Sequence, residues 1–202
     1  MLVFGAIAPH PPLLLPSVGS SSDRQKVKKT LVALGFLAGR LKKAKPDIIV
    51  ISSPHPDWGF NVPLYFLAQN FRGEIKTILT DFNSPKEHWE KGKKFFQKLE
   101  KNKRYAFIAS GDLSHCLKVD GPYGFNPDGP KFDEAFQVCL LEKDIDNFLK
   151  LDEKFPQAGE CGLRSISFLL GVLEAGKINW QAEILSYEKP FGVGYLVANF
   201  LF

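Results

Sequence analysis

The chain has 202 residues and carries 26 basic against 22 acidic side chains, a net charge of +4. That length suits one domain, spanning residues 1–202, with a sizeable buried core. An apolar content of 45% excludes a disordered chain. The basic residues gather in two runs, Lys26–Lys45 and Lys86–Arg104, interleaved with apolar residues at helical spacing. Such runs read as solvated helix faces and argue against nucleic-acid binding. Cys116, Cys139 and Cys161 are odd in number and far apart, which excludes a disulfide framework or a zinc ribbon and fits a reducing compartment. Met1–Ala8 lacks the basic flank and cleavage site of a secretory leader, and no apolar run is long enough to span a bilayer. A cytoplasmic protein without membrane contact is expected.

Leu2–Ala8 is an apolar run ended by Pro9-His10-Pro11-Pro12, the pattern of a buried strand entering a stiff loop. Val27, Leu31, Leu34, Leu37 and Leu41 recur at helical steps and predict an amphipathic helix. Asp47–Ser53 is a second buried strand, again ended by a histidine between prolines, Pro54-His55-Pro56. Strand, helix and strand in that order predict a parallel pair with a crossover helix. Val62–Leu67 and Ile75–Leu79 are further strand candidates. Ser84-Pro85-Lys86-Glu87 is a helix start, with Ser as cap, Pro at the first position and Glu at the third. His88, on that charged turn, is expected at the surface.

Tyr105–Ala109 is another buried strand and runs into Ser110-Gly111-Asp112-Leu113-Ser114-His115. Gly121–Pro130, dense in Gly and Pro, predicts a loop and is a candidate lid. Phe132, Phe136 and Cys139 mark a helix, Ile145–Leu149 a short one, and Leu163, Ile166, Leu170 and Leu173 a helix starting near Glu160–Cys161. Gln181–Tyr187 and Val193–Phe200 predict a C-terminal antiparallel hairpin at the sheet edge. The apolar end, Asn199-Phe200-Leu201-Phe202, is a candidate for pairing with a second copy in a homo-oligomer.

His10, His55 and His115 each follow the C-terminal end of a buried strand. In open α/β sheets ligands bind in the crevice outside those ends, so three sequence-distant imidazoles are placed at one edge. Two His with one carboxylate form the open-sided centre of non-haem Fe(II) enzymes, and the same donors with zinc serve hydrolysis. Glu160, between Gly159 and Cys161-Gly162, is the candidate carboxylate. Cys161 is the rival, since a thiol at a helix start can also ligate. Asp112 reads either as a partner orienting an imidazole or as a turn residue. Phe60, Tyr123 and Phe125 are candidate pocket-lining aromatics. The nucleophile elbow, the phosphate-binding loop and the dinucleotide fingerprint are absent.

The segments GAIAPHPPLLLPSVG, SSPHPDWG, SGDLSH and GPYGFNPDGPKFD…AGECGLRS resemble the subunit-B superfamily of class III extradiol ring-cleavage dioxygenases, in the branch related to Memo proteins. The resemblance runs from Ala6 to about Leu170. It implies a three-layer α/β/α sandwich around a mostly parallel central sheet. It implies Fe(II) as cofactor, with zinc or another divalent metal as alternatives, held by His10 and His55, and His115 as catalytic acid/base. The implied substrates are a catechol-like aromatic compound and O2, as in aromatic catabolism. Dioxygenase members use a Glu as third ligand and Memo-like members a Cys; Glu160 and Cys161 meet both patterns. With Glu160 as ligand the expected reaction is extradiol ring cleavage. With Cys161 it is metal binding for redox chemistry or partner binding, and a zinc hydrolase is the third option.

Overall fold

The computed structural model describes residues 1–202, and the fold it gives is a mixed α/β sandwich. Its strands are β1 (Leu2–Ala8), β2 (Ile48–Ser53), β3 (Glu74–Leu79), β4 (Tyr105–Ser110), β5 (Gln181–Glu188) and β6 (Tyr195–Leu201). They form one six-stranded sheet in the order β3-β2-β4-β1-β6-β5. The β3-β2-β4-β1 block is parallel, while β6 runs antiparallel to both β1 and β5.

The apolar strands are buried on both faces, as parallel strands under helices must be. Side chains alternate between faces along each strand. Ile7, Ile48, Val50, Tyr105 and Phe107 join one core with Phe132, Phe136, Ile166 and Leu170. Phe4, Ala6, Ile49, Ile51 and Ile108 join the other with Leu34, Leu37 and Val62. The first core lies under α4 (Pro85–Phe96), α5 (Asp128–Glu142) and α8 (Leu163–Ala175); the second lies under α2 (Lys28–Ala44) and α3 (Trp58–Leu67). The short helices α1 (Ser21–Lys26), α6 (Ile145–Phe148) and α7 (Leu151–Lys154) sit in the connections. No helix is long and apolar enough to cross a membrane.

The Ser84 start of α4 is a capping box: its hydroxyl accepts from the Glu87 N–H while the Glu87 carboxylate accepts from the Ser84 N–H. Other expectations change. β1 and β2 are parallel but not neighbours, because β4 lies between them. Val62–Leu67 is not a strand but the end of α3; a short apolar run has no period that separates the two. The helix expected from Val27 to Leu41 is α2, and a separate short helix, α1, precedes it. The Gly121–Pro130 loop ends early, as α5 begins at Asp128. The C-terminal strand β6 is an interior strand, and the edges are β3 and β5. His88 is buried: its Nδ1 faces the Ser84 carbonyl at 3.0 Å and its Nε2 accepts from the Asp81 N–H at 3.3 Å.

Candidate metal centre

The carboxyl ends of β1, β2 and β4 deliver His10, His55 and the Ser110–His115 segment to one edge of the sheet. A fourth segment, Gly159–Gly162 before α8, closes on them. A Cβ on Gly111 would stand 2.2 Å from the Gly162 Cα, so the two backbones meet only because both residues are glycine. The Asp112 carbonyl accepts from the N–H groups of Cys161 and Gly162 at 3.3 and 2.9 Å, and the Asp112 N–H faces the Cys161 Sγ at 3.3 Å. This contact brings a residue 49 positions away onto the histidine edge.

Two donor groups result, with their ligand atoms all within 4.8 Å of one another: His10, His55 and Cys161, and Asp112, His115 and Cys161. The His10 Nε2 and Cys161 Sγ are 3.5 Å apart. Metal–ligand bonds of about 2.0–2.3 Å around a tetrahedral ion place ligand atoms roughly 3.3–3.8 Å apart; the His10–Cys161 spacing falls in that range, and the donor types suit a divalent ion. The His10 and His55 rings meet edge-on at 5.1 Å.

The tautomer of His10 is fixed from behind. The Ser110 hydroxyl donates to the Gly59 carbonyl, and so accepts at 2.9 Å from the His10 Nδ1–H. The Nε2 lone pair is left facing Cys161. Gly59 can receive Ser110 because Pro63, four residues on inside α3, has no N–H to donate to that carbonyl. A helix-breaking residue thus serves the site. Gly59 itself is hemmed in, since a Cβ there would stand 2.0 Å from the Ser53 Oγ and 3.0 Å from the His55 Cβ. His115 is fixed in the same sense. Its Nδ1 donates to the Gly159 carbonyl at 2.5 Å, which leaves Nε2 as the free base.

Burial sets the electrostatics. The His10 imidazole is pushed down to about 3, first by desolvation and then by the nearby His55 and His115. It therefore stays neutral and ready to ligate. Burial raises the Asp112 carboxyl to about 6 against the opposing pull of His115, the His10 N–H and His55. Its Oδ1 accepts from the His10 N–H at 3.1 Å and its Oδ2 lies 3.9 Å from the His10 Nε2. Burial, and then Asp112, raise the Cys161 thiol well above its ordinary value. A bound cation reverses that, because a coordinating thiol is deprotonated outright.

The structure thus gathers His10, His55, Asp112 and His115. It places Glu160 elsewhere. One Glu160 oxygen accepts from the Leu163 N–H at 2.7 Å, capping α8, and the other pairs with the Arg164 Nη1 at 3.0 Å. Arg164 also bonds Asp152 and the Asn83 carbonyl. Glu160 belongs to neither donor group, whereas Cys161 belongs to both. Ser110 and Pro63 escaped the sequence reading. The signals were a serine at a strand end facing the His10 strand, and a proline within an apolar run.

Residues 55–198 match the family described as the catalytic LigB subunit of aromatic ring-opening dioxygenase, and the chain belongs to that family. The matched segment includes His55, Asp112, His115 and Cys161; His10 precedes it. Protein CA_C1420 of Clostridium acetobutylicum is 43% identical over 143 residues, 69% of this chain. Those residues make up 30% of that protein, so the chain spans under a third of its relative. A crystal structure of an uncharacterised protein, JW3007 of Escherichia coli K12, superposes with a TM-score of 0.62 over 99% of this chain and 100% of that one. At 13% identity that likeness establishes the fold alone. Membership gives the scaffold of a metal-dependent, oxygenase-type enzyme family.

Proposed function

We propose that the protein is a metal-dependent oxygenase that opens a catechol-like aromatic ring with O2, with one Fe(II) held by His10, His55 and Cys161. The observation that carries the reading is the joint approach of these three donors, with Asp112 and His115 adjoining them through the same sulfur. The Glu160 carboxylate is engaged by Leu163 and Arg164, so the thiol takes the third ligand place; this departs from the carboxylate expected for ring cleavage, and the ring-opening reading then rests on membership of the family and on His115 and Asp112 beside the donors. Zinc or another divalent ion suits the same donors.

A bound ion supplies Lewis acidity, lowering the pKa of a substrate hydroxyl that reaches it. The protein's own groups do the remainder. His115 Nε2, freed by the Nδ1–Gly159 bond, takes the hydroxyl proton and later returns one to the opened product. Asp112 stands behind this exchange. Its carboxylate orients the His10 segment by accepting from the His10 N–H, and its carbonyl holds Cys161 in place by accepting from the Cys161 N–H. Ser110 keeps the His10 Nε2 unprotonated throughout.

A second reading follows from Cys161 standing where ring-opening members use a carboxylate: a Memo-like protein that binds metal for redox chemistry or partner binding without ring cleavage. One experiment separates the two. The protein is reconstituted with Fe(II) without oxygen and then given air with a panel of catechols. Oxygen uptake matched by ring-opened product supports the dioxygenase. A protein that holds one iron per chain through Cys161, and neither consumes oxygen nor opens any ring in the panel, moves the assignment to the second reading.

A further inference from the structure

The site is open. His55, His115 and Cys161 are each partly buried, and only His10 and Asp112 are fully covered. Pockets that bind small molecules cover most of their ligand, and a free single-ring diol at this edge would stay largely wet. What the site does offer is two aromatic side chains. Trp58 lies against the His55 ring at 4.9 Å and 32°, and is 42% exposed. Tyr123 meets the His115 ring edge-on at 5.4 Å, and is 70% exposed. One therefore borders the His10–His55 donor group and the other the Asp112–His115 group, with Cys161 common to both. A packed core does not explain either ring, since each rests on a site imidazole and leaves much of its surface to solvent.

We infer that Trp58 and Tyr123 are the specificity-determining residues of this centre, gripping between them an aromatic ring that is carried on a larger molecule. Ring stacking favours such a substrate over an aliphatic chelator, and the open mouth lets the rest of the molecule project into water. Tyr123 lies in the connection before α5, beside Gly124, whose φ of +73° suits glycine and whose missing Cβ would meet open space. Tyr123 thus stands on a surface turn, while Trp58 stands at the first turn of α3.

The inference rests on the metal reading above, and its test is separable from the test of ring opening. Acetohydroxamate, benzohydroxamate and biphenyl-4-hydroxamate present one chelating group with no ring, one ring and two rings. Their binding is measured by calorimetry on the Fe(II)-loaded protein without oxygen. Wild type is expected to prefer benzohydroxamate to acetohydroxamate by about tenfold or more, as ring–ring contacts on both sides would give. It is expected to bind the biphenyl compound at least as tightly. Trp58→Ala and Tyr123→Ala should each cut that preference severalfold while iron content and acetohydroxamate affinity stay unchanged. Equal affinity for the first two compounds, or an unchanged preference in both variants, overturns the clamp. Rejection of the biphenyl compound overturns the larger-substrate part. A preserved preference in a protein that opens no catechol leaves the clamp standing and removes only the reaction.

Discussion

Two of the histidines grouped with Cys161, His10 and His115, share a tautomer but differ in burial and backing. His10 is 2% exposed, and its ring is backed by Ser110, Gly59 and the proline-freed carbonyl of α3. His115 is partly buried and tied at both its N–H and its Nδ1 to the single carbonyl of Gly159. Burial pushes the His10 imidazole down to about 3, so it cannot take part in proton exchange at working pH, but it can hold an ion with little competition from protons. On the proposed reading the dry half, at His10, holds the metal and the wet half, at His115, exchanges protons with substrate, a split that matches the solvent access of these two rings.

The strongest way to break that contrast is to remove donors on each side. Cys161→Ser and His10→Ala should each strip the metal, with affinity falling by more than the roughly 10–100-fold that loss of an orienting partner costs. Metal analysis after dialysis reads this directly. His115→Ala should keep one ion per chain and lose turnover by about 10²–10⁴-fold, the usual worth of a positioned acid/base. If His115→Ala loses the metal instead, the two halves are one ligand set and the division fails. Next comes the backing. Ser110→Ala should weaken metal binding by about 10–100-fold through the freed tautomer. Pro63→Ala should act in the same direction but more weakly, because an N–H at position 63 then competes with Ser110 for the Gly59 carbonyl.

The contrast was half legible in the sequence. Three histidines after three buried strands located the edge, because strand ends are local features and parallel strands deliver them to one side. The strand order was not legible: β4 inserts between β1 and β2 through pairing that no local pattern encodes. The third donor stayed open between Glu160 and Cys161 for the same reason. Neighbouring side chains diverge, and which one turns inward depends on the Gly111–Gly162 approach and on Arg164, both tertiary contacts. α3 was misread because its apolar run is as short as a strand. His88 was misread because its neighbours in sequence are charged while its ring is tucked beneath Ser84 and Asp81.

Glu160 offers a smaller effect that sharpens the assignment. Glu160→Gln should leave metal content unchanged and lower stability by about 1–3 kcal/mol, since the side chain is 8% exposed and its loss weakens both the α8 cap and the Arg164 pair. Loss of metal without loss of stability would restore the carboxylate as a ligand.

The smallest effect lies beneath the wet half. Asp133 is 1% exposed; its carboxylate accepts from the Ser114 N–H at 2.8 Å and from the Tyr187 hydroxyl. It underpins the residue preceding His115. Burial raises its carboxyl to about 6, against the lowering pull of Tyr187, Ser114 and Lys189. A carboxyl with a raised folded-state pKa binds its proton more tightly in the folded chain than in the unfolded one. Its contribution to stability is therefore fully present below the unfolded value near 4 and is lost as pH rises through about 6. Asp133→Asn, which cannot ionise, lacks that loss. The melting temperature of the variant relative to wild type should thus rise between pH 5 and pH 8, by roughly a few degrees for a chain of this size. A constant difference across that range would mean that Asp133 ionises at the same pH folded and unfolded, and that the floor under His115 carries no proton of its own.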